Sequence, residues 1–166
     1  MFMGIEWFIL YFVWVVTAIS LFFIPQARLR EASISYLFLL FVSWFAGLLV
    51  VELNLIKYPV RELASVNKTS FTFEFFVYPV IGIFFNLFYP ENRSRLLRFL
   101  YSSAICTGII IPEVIIERYT DLIEYVHWTW YVSWISVFAT LSLLRLFYSW
   151  FFKLGQEKDS IYIEDT

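Results

Sequence analysis

The sequence has 166 residues, of which 61% are hydrophobic and only 16% charged, and its mean hydropathy is +0.74. Soluble domains contain about 45–50% apolar and about 25% charged residues, so the composition excludes a soluble domain, a disulfide scaffold and a disordered chain. Twelve basic and fourteen acidic residues give a net charge of −2, which leaves no basic surface for nucleic acid. The excess of apolar side chains predicts an integral membrane protein in contact with the lipid bilayer.

The single cysteine, Cys106, and the single histidine, His127, limit redox and metal chemistry. One cysteine cannot form an intramolecular disulfide, and one histidine cannot supply a three-histidine zinc site or both axial ligands of a haem. The sequence contains no zinc-protease, serine-hydrolase or phosphate-loop motif. It therefore predicts no cofactor and gives no positive indication of an enzyme, and any metal chemistry would depend on carboxylates.

Five apolar segments of about 20 residues, bordered by charged residues or proline, predict membrane-spanning helices. They cover residues 7–24, 32–51, 71–89, 96–116 and 128–152. The second is the most clearly defined, because no charge lies between Glu31 and Glu52. The mixed stretch 52–70 predicts a loop at the membrane surface, and a polar tail, 153–166, follows the last segment.

The distribution of Lys and Arg between these segments predicts the orientation. With the N-terminus outside, more basic residues are cytoplasmic than external, and Glu6 is the only charged side chain before the first segment. We therefore expect an all-α bundle of five spans, with the N-terminus outside and the tail 153–166 in the cytoplasm. A four-helix alternative, in which the third segment is re-entrant around Pro79, stays open.

Two carboxylates are drawn into the predicted spans. The uncharged part of the fourth segment is only about 21 Å long, too short to cross the bilayer, so Glu113 must enter the apolar zone. The same argument applies to Glu74 in the third segment. If both side chains face the bundle interior, a shared proton or a bound cation would be favoured. Alternatively, each lies at a helix end and meets water or a local hydroxyl such as that of Thr72 or Tyr78.

Arg145 lies within the fifth segment, about two turns before its end. Its long stem can carry the guanidinium group to the inner headgroups, which is the simpler interpretation. A pairing with a carboxylate inside the bundle is the alternative.

Beyond Glu113 the sequence becomes amphipathic. Neither Gly nor Pro interrupts residues 113–130, which predicts a continuous helix that extends the fourth span or lies in the interface. The acidic residues on one face of such a helix are Glu113, Glu117, Asp121 and Glu124, with His127 near its edge. These side chains could coordinate a divalent cation or attract a cationic ligand, and a solvated helix face is the alternative.

Two pairs of small residues have the four-residue spacing that lets helices approach closely. They are Ser43 with Gly47 in the second segment and Ala104 with Gly108 in the fourth. The spacing serves packing inside one bundle or between two protein chains, so it leaves the oligomeric state open.

Several motifs resemble those of a family of small multi-pass membrane proteins from Gram-positive spore-forming bacteria. They are Glu-x-x-x-Glu-Arg-Tyr-Thr-Asp-Leu-Ile at 113–123, Tyr125, Trp-Thr-Trp-Tyr at 128–131, Phe-Thr-Phe-Glu at 71–74 and Tyr-Pro at 78–79. The similarity extends over most of the chain. It implies a bacterial plasma membrane and a multi-pass helical fold, and it implies no activity.

These observations predict a protein that binds a cation or a small cationic or amphiphilic ligand in an outward-facing acidic pocket. The expected pocket residues are Glu74, Glu113, Glu117, Asp121 and His127. An accessory or scaffold subunit, packed against another membrane protein or a second copy of the chain, is the main alternative. A lipid-modifying enzyme with Glu113 or Asp121 as acid or base is a further one, although no nucleophile motif supports it.

Overall fold

The computed structural model describes the backbone of residues 4–164 and the side chains of residues 4–152. Its five α-helices are α1 Ile5–Leu21, α2 Leu29–Glu52, α3 Tyr78–Leu87, α4 Arg95–Tyr119 and α5 Trp130–Glu164. A 3-10 turn, Gln26–Arg28, leads into α2, and a π-helix, Thr72–Val77, leads into α3. Two short strands, β1 Ile56–Lys57 and β2 Glu124–Tyr125, form an antiparallel pair.

Three helical segments are long and apolar enough to cross a membrane. They are Gln26–Glu52, Arg95–Tyr119 and Trp130–Phe152, and two further apolar segments, Ile5–Leu21 and Thr72–Leu87, are shorter. The predicted all-α fold with membrane-compatible helices is therefore confirmed. Each of the five predicted segments coincides with one of these helices.

The bundle interior is formed where α2, α3, α4 and α5 meet. The buried residues of this core are Leu39, Phe85, Cys106, Leu141 and Leu144. Helices α2 and α3 run antiparallel and lie so close at Gly82 that a Cβ atom there would be 2.5 Å from Leu39 Cδ2. Helix α1 lies at the periphery with large apolar side chains such as Phe8 and Phe12 exposed, as expected for a surface that faces lipid.

The third predicted segment is one uninterrupted helical run from Thr72 to Leu87. Pro79 lies in the first turn of α3, where a missing backbone N–H is tolerated. The structure therefore shows no re-entrant turn around Pro79.

The continuous helix predicted over residues 113–130 is wrong. Helix α4 ends at Tyr119, and Thr120 has an extended backbone, with φ −143° and ψ 167°. The chain then reverses so that Leu122 and Ile123 become buried, with 2% and 9% exposure. This burial outweighs the local preference for helix, which is only a weak determinant of structure.

The loop between α2 and the π-helix folds onto the same end of the bundle as residues 120–129. Strands β1 and β2 join the two segments, and the N–H of Val60 donates to the carbonyl oxygen of Asp121 at 2.9 Å. The N–H groups of Val126 and His127 both donate to Leu55 O. The predicted loop is therefore present, and it is held against the helix ends by backbone hydrogen bonds.

Helix α5 continues beyond residue 152 into the segment 153–166, which the sequence predicts as a polar tail. The backbone of α5 continues as helix to Glu164, so most of the predicted tail extends this helix. The tail's side chains lie outside the described residues.

Candidate functional site

Glu74 projects from the π-helix into the contact with α2 and is only 7% exposed. Gly47 of α2 makes room for it, since a Cβ atom at that position would lie 2.2 Å from Glu74 Oε1. Ser43 Oγ donates to the backbone carbonyl oxygen of Glu74 at 2.8 Å. The small pair Ser43 and Gly47 therefore serves packing within the chain, beside a π-helical turn of the kind often found at functional sites.

Glu113 lies on α4 and is surrounded by hydroxyl donors. Its Oε1 atom accepts hydrogen bonds from the Tyr125 hydroxyl and from Ser133 Oγ, the latter at 2.6 Å. Trp128 Nε1 in turn donates to Ser133 Oγ at 2.8 Å. The chain reversal after α4 is what brings Tyr125 back to this carboxylate.

Tyr58, a loop residue next to β1, lies near enough to both carboxylates for their charges to affect it. Burial raises the pKa of the Tyr58 phenol, and the nearby charges of Glu74 and Glu113 raise it further. Burial also raises the pKa of Tyr125, and the carboxylate of Glu113 adds to that effect. We call the resulting group the tyrosine–carboxylate cluster; its members are Tyr58, Glu74, Glu113, Tyr125 and Ser133.

Both carboxylates lie at a similar depth within the bundle. Gly47, which faces Glu74, precedes the end of α2 by about 7 Å along the helix axis. Glu113 precedes the end of α4 by about 9 Å. The two carboxylates thus lie within about two helical turns of the same end of the bundle.

The tyrosine–carboxylate cluster has no positive charge among the described side chains. Neither Glu74 nor Glu113 forms an ion pair there, and Glu74 Oε2 is buried without a hydrogen-bond partner. The basic residues of the adjacent loop are engaged elsewhere: Arg61 binds backbone carbonyls, and Lys68 pairs with Glu52. Two carboxylates in such surroundings favour uptake of a proton or a cation.

Of the remaining predicted site residues, Glu117 lies near this cluster, whereas Asp121 and His127 are exposed. Glu117 is half-buried near enough to Tyr125 for its charge to raise the pKa of that phenol. Asp121 and His127 are exposed, and His127 Nδ1 lies 3.5 Å from the carbonyl oxygen of Asn54. The predicted acidic helix face is therefore wrong, because the helix ends before Asp121.

A site for a divalent metal ion is not supported by the described part of the chain. Within it, no three His, Cys, Asp or Glu side chains lie close enough together to hold a metal ion. Cys106 is free and buried in the core. The cluster offers two carboxylates and several hydroxyls, which is a smaller charge than most divalent sites provide.

The hydroxyl partners of the carboxylates were not those that the sequence suggested. Thr72 donates to Glu62, and the Tyr78 hydroxyl bonds with Thr140. Tyr58 and Tyr125 carried no distinguishing pattern, because a tyrosine in a loop is common and its position depends on how two distant loops pair.

The opposite end of the bundle holds a second polar group, the arginine–carboxylate cluster. Its members are Arg28, Glu31, Asn86, Glu91, Arg145 and Tyr148. Glu31 Oε2 accepts from Arg28 Nε at 2.8 Å and from the Tyr148 hydroxyl at 2.6 Å, while Arg28 Nη1 donates to Leu87 O at 2.8 Å. These bonds tie the start of α2 to the end of α3 and to the middle of α5.

Arg145 is part of this cluster and has only 11% of its side chain exposed. It pairs with Glu91, and its guanidinium carbon lies 4.5 Å from the ring centre of Tyr89 and 4.9 Å from that of Tyr148. Arg145 thus pairs with a carboxylate, but this partner is an exposed residue of the loop between α3 and α4 and does not lie inside the bundle. The interpretation in which the guanidinium group reaches the headgroups stays a prediction.

No family model, curated protein or solved structure matches this chain. The resemblance to membrane proteins of spore-forming bacteria therefore stays a prediction.

Proposed function

We propose that the protein crosses a bacterial plasma membrane five times and binds one monovalent cation at the tyrosine–carboxylate cluster. The cation is a proton or an alkali metal ion. The observation that carries this proposal is the buried carboxylate of Glu74, whose Oε2 atom has no hydrogen-bond partner among the described residues, at the same end of the bundle as the half-buried Glu113.

The arrangement of the helices supports five crossings. Arg28, between α1 and α2, bonds to Leu87 at the end of α3, and Tyr148 of α5 bonds to Glu31 at the start of α2. Successive helices therefore run in opposite directions between two ends. The shorter segments, Ile5–Leu21 and Thr72–Leu87, have lengths of about 24–26 Å, which a locally thinned bilayer accommodates.

The distribution of basic residues supports the orientation. The arginine–carboxylate cluster lies at the end that the positive-inside rule assigns to the cytoplasm, together with the tail 153–166. The tyrosine–carboxylate cluster then lies near the outer boundary, as does the N-terminus. A cation from outside would reach it without crossing the apolar centre of the bundle.

A monovalent ion fits this site better than a divalent one. Two carboxylates that both ionise would repel each other in a region of low dielectric, and a single added positive charge offsets most of that cost. The hydroxyls of Tyr58, Tyr125 and Ser133 supply further oxygen atoms. Divalent sites usually use more carboxylates than the two present here.

The proposal is tested by thermal unfolding of the full chain in detergent, with NaCl or KCl titrated at several pH values. We expect the wild type to become more stable as the cation is added, and we expect this response to vanish in Glu74→Gln/Glu113→Gln. The matched control is Glu52→Gln/Glu124→Gln, whose side chains are exposed and whose response should equal that of the wild type. If the double variant at the cluster responds like the wild type, the proposal fails.

A scaffold function is the second candidate, and one observation favours it. Ala104 and Gly108 of α4 are exposed, and a Cβ atom at Gly108 would meet nothing within 4 Å. Such an open small pair suits close contact with another transmembrane helix, from a second copy or a different protein. Crosslinking in native membranes tests this: a stoichiometric partner lost in Gly108→Leu supports it, and an uncrosslinked monomer argues against it.

A further inference from the structure

A separate pocket lies between α1 and the loop that precedes the π-helix. Its cavity has a volume of about 440 Å³. The lining residues are Trp7, Leu10, Tyr11, Trp14, Glu62, Leu63 and Phe71. We call it the aromatic pocket, because four of its seven lining residues carry aromatic rings and Glu62 is its only charged one.

Glu62 is held in this pocket by one of its two carboxylate oxygens. Thr72 donates its hydroxyl hydrogen to Glu62 Oε1, and Trp14 Nε1 donates to Thr72 Oγ1 at 2.7 Å. The second oxygen, Oε2, is buried and has no hydrogen-bond partner in the described part of the chain. Nor does any Lys or Arg side chain described there pair with Glu62. The carboxylate is thus fixed in place with its negative charge unmatched.

Four aromatic rings line the same pocket as this carboxylate. The ring centres of Trp14 and Phe71 are 6.3 Å apart at an interplanar angle of 19°, and those of Trp7 and Tyr11 are also 6.3 Å apart. Aromatic walls attract organic cations through the negative potential of the ring faces, and a carboxylate adds direct charge attraction. A small hydrated ion gains little from apolar walls, so the combination selects an ammonium group that carries alkyl substituents.

We propose that the aromatic pocket binds an organic ammonium group, with its charge against Glu62 and its alkyl substituents against Trp7 and Trp14. The group belongs either to a soluble compound or to a lipid headgroup, since the chemistry of recognition is the same. This proposal does not rest on the cation site described above, because Glu62 is not a member of the tyrosine–carboxylate cluster.

Equilibrium binding of tritiated choline to the full chain tests the proposal, in nanodiscs made of glycerol-headed lipid. We expect saturable binding that unlabelled choline displaces, and we expect the uncharged isostere 3,3-dimethylbutanol to compete at least about tenfold less well. Absence of saturable binding, or equal competition by the isostere, would overturn the proposal.

Variants locate the binding in the aromatic pocket. Glu62→Gln should weaken choline binding at least about tenfold, because the charge that faces the ammonium group is removed. Glu52→Gln, at an exposed site near the same loop, should bind like the wild type. If Glu62→Gln does not fold, Trp7→Leu decides, with Trp150→Leu at the other end of the bundle as its control. A Glu62→Gln or Trp7→Leu protein that retains wild-type affinity contradicts the proposal.

Two further comparisons separate the sources of the ligand and the two proposed sites. In nanodiscs of choline-headed lipid, reduced binding of tritiated choline identifies a lipid headgroup as the occupant, whereas unchanged binding identifies a soluble compound. Glu74→Gln should leave choline binding unchanged. If it abolishes choline binding while Glu62→Gln does not, the ammonium group binds at the tyrosine–carboxylate cluster and the aromatic pocket is excluded.

Discussion

The carboxylates at the two ends of this bundle have different kinds of neighbours. At one end Glu31 accepts hydrogen bonds from Arg28 and Tyr148, and Arg145 pairs with Glu91. At the other end Glu113 accepts hydrogen bonds from the hydroxyls of Tyr125 and Ser133, and no described Lys or Arg pairs with Glu74 or Glu113. Paired charges hold helices together. A buried charge without a partner costs desolvation free energy, which a bound cation can offset. The difference separates a region that stabilises the fold from one that is suited to bind a cation.

The largest effect should come from filling the space that Glu74 occupies. Gly47→Val places a branched side chain where even a Cβ atom would lie 2.2 Å from Glu74 Oε1, so the Glu74 carboxylate must leave its buried position. We expect a loss of about 2–3 kcal/mol in the free energy of unfolding, measured in detergent. The control is Gly108→Val, which meets open space and should change stability little. Equal losses for the two variants would contradict the close approach described here.

The same isosteric change, Glu to Gln, should affect stability differently at the two ends of the bundle. Glu31→Gln should destabilise the protein by about 1.5–3 kcal/mol, because it removes the charge to which Arg28 is bonded. Glu74→Gln should be neutral or stabilising, since no described cation pairs with the buried carboxyl group that the amide replaces. Thermal unfolding of both variants without added cation measures this. A larger loss for Glu74→Gln than for Glu31→Gln would reverse the assignment of the two regions.

Alkaline pH should destabilise the protein through the tyrosines of the loops. Burial raises the pKa of both Tyr58 and Tyr125, so the folded state keeps their protons at a pH where the unfolded chain has lost them. Stability is therefore full below about pH 10 and falls above it, by up to about 1.4 kcal/mol per pH unit for each tyrosine. The Tyr58→Phe/Tyr125→Phe protein should show a shallower decline in unfolding experiments. A decline as steep as that of the wild type would contradict this.

The smallest effect is expected from Tyr125→Phe at neutral pH. Glu113 Oε1 loses one hydrogen bond and keeps the one from Ser133, so the loss should be about 0.5–1.5 kcal/mol. Chemical unfolding in mixed micelles measures it, with Tyr131→Phe at an exposed position as the control. A loss that exceeds that of Glu31→Gln would show that Tyr125 is as important to the fold as the arginine pairing.

The fold could be predicted from the sequence where local rules decide it. Uninterrupted apolar runs predicted the helices, and the shortage of apolar residues before Glu113 predicted that a carboxylate enters the bundle. The chain reversal after Tyr119 could not be predicted in this way. No glycine or proline marks the position of the reversal. The reversal depends on the burial of Leu122 and Ile123 and on pairing with β1, a strand that is distant in sequence.

Of the candidate site, only the carboxylates could be predicted from the sequence. Glu74 and Glu113 stood out because charges inside apolar helices are rare. Their common neighbour Tyr58 reaches them through a loop, and no periodicity governs the position of a loop residue. Asp121 and His127 were predicted as members because a helix was extended past its real end. The sequence thus indicated which carboxylates are unusual, and the tertiary contacts showed which groups surround them.

Infrared difference spectroscopy of the carboxyl groups tests the cation-binding claim most directly. Spectra of the full chain are compared before and after the pH is raised or Na⁺ is added. We expect the wild type to show a carboxyl band that changes when a cation binds. This band should be absent from the spectrum of Glu74→Gln/Glu113→Gln and present in that of Glu31→Gln. A spectrum in which the double variant shows the same cation-dependent change as the wild type would contradict it.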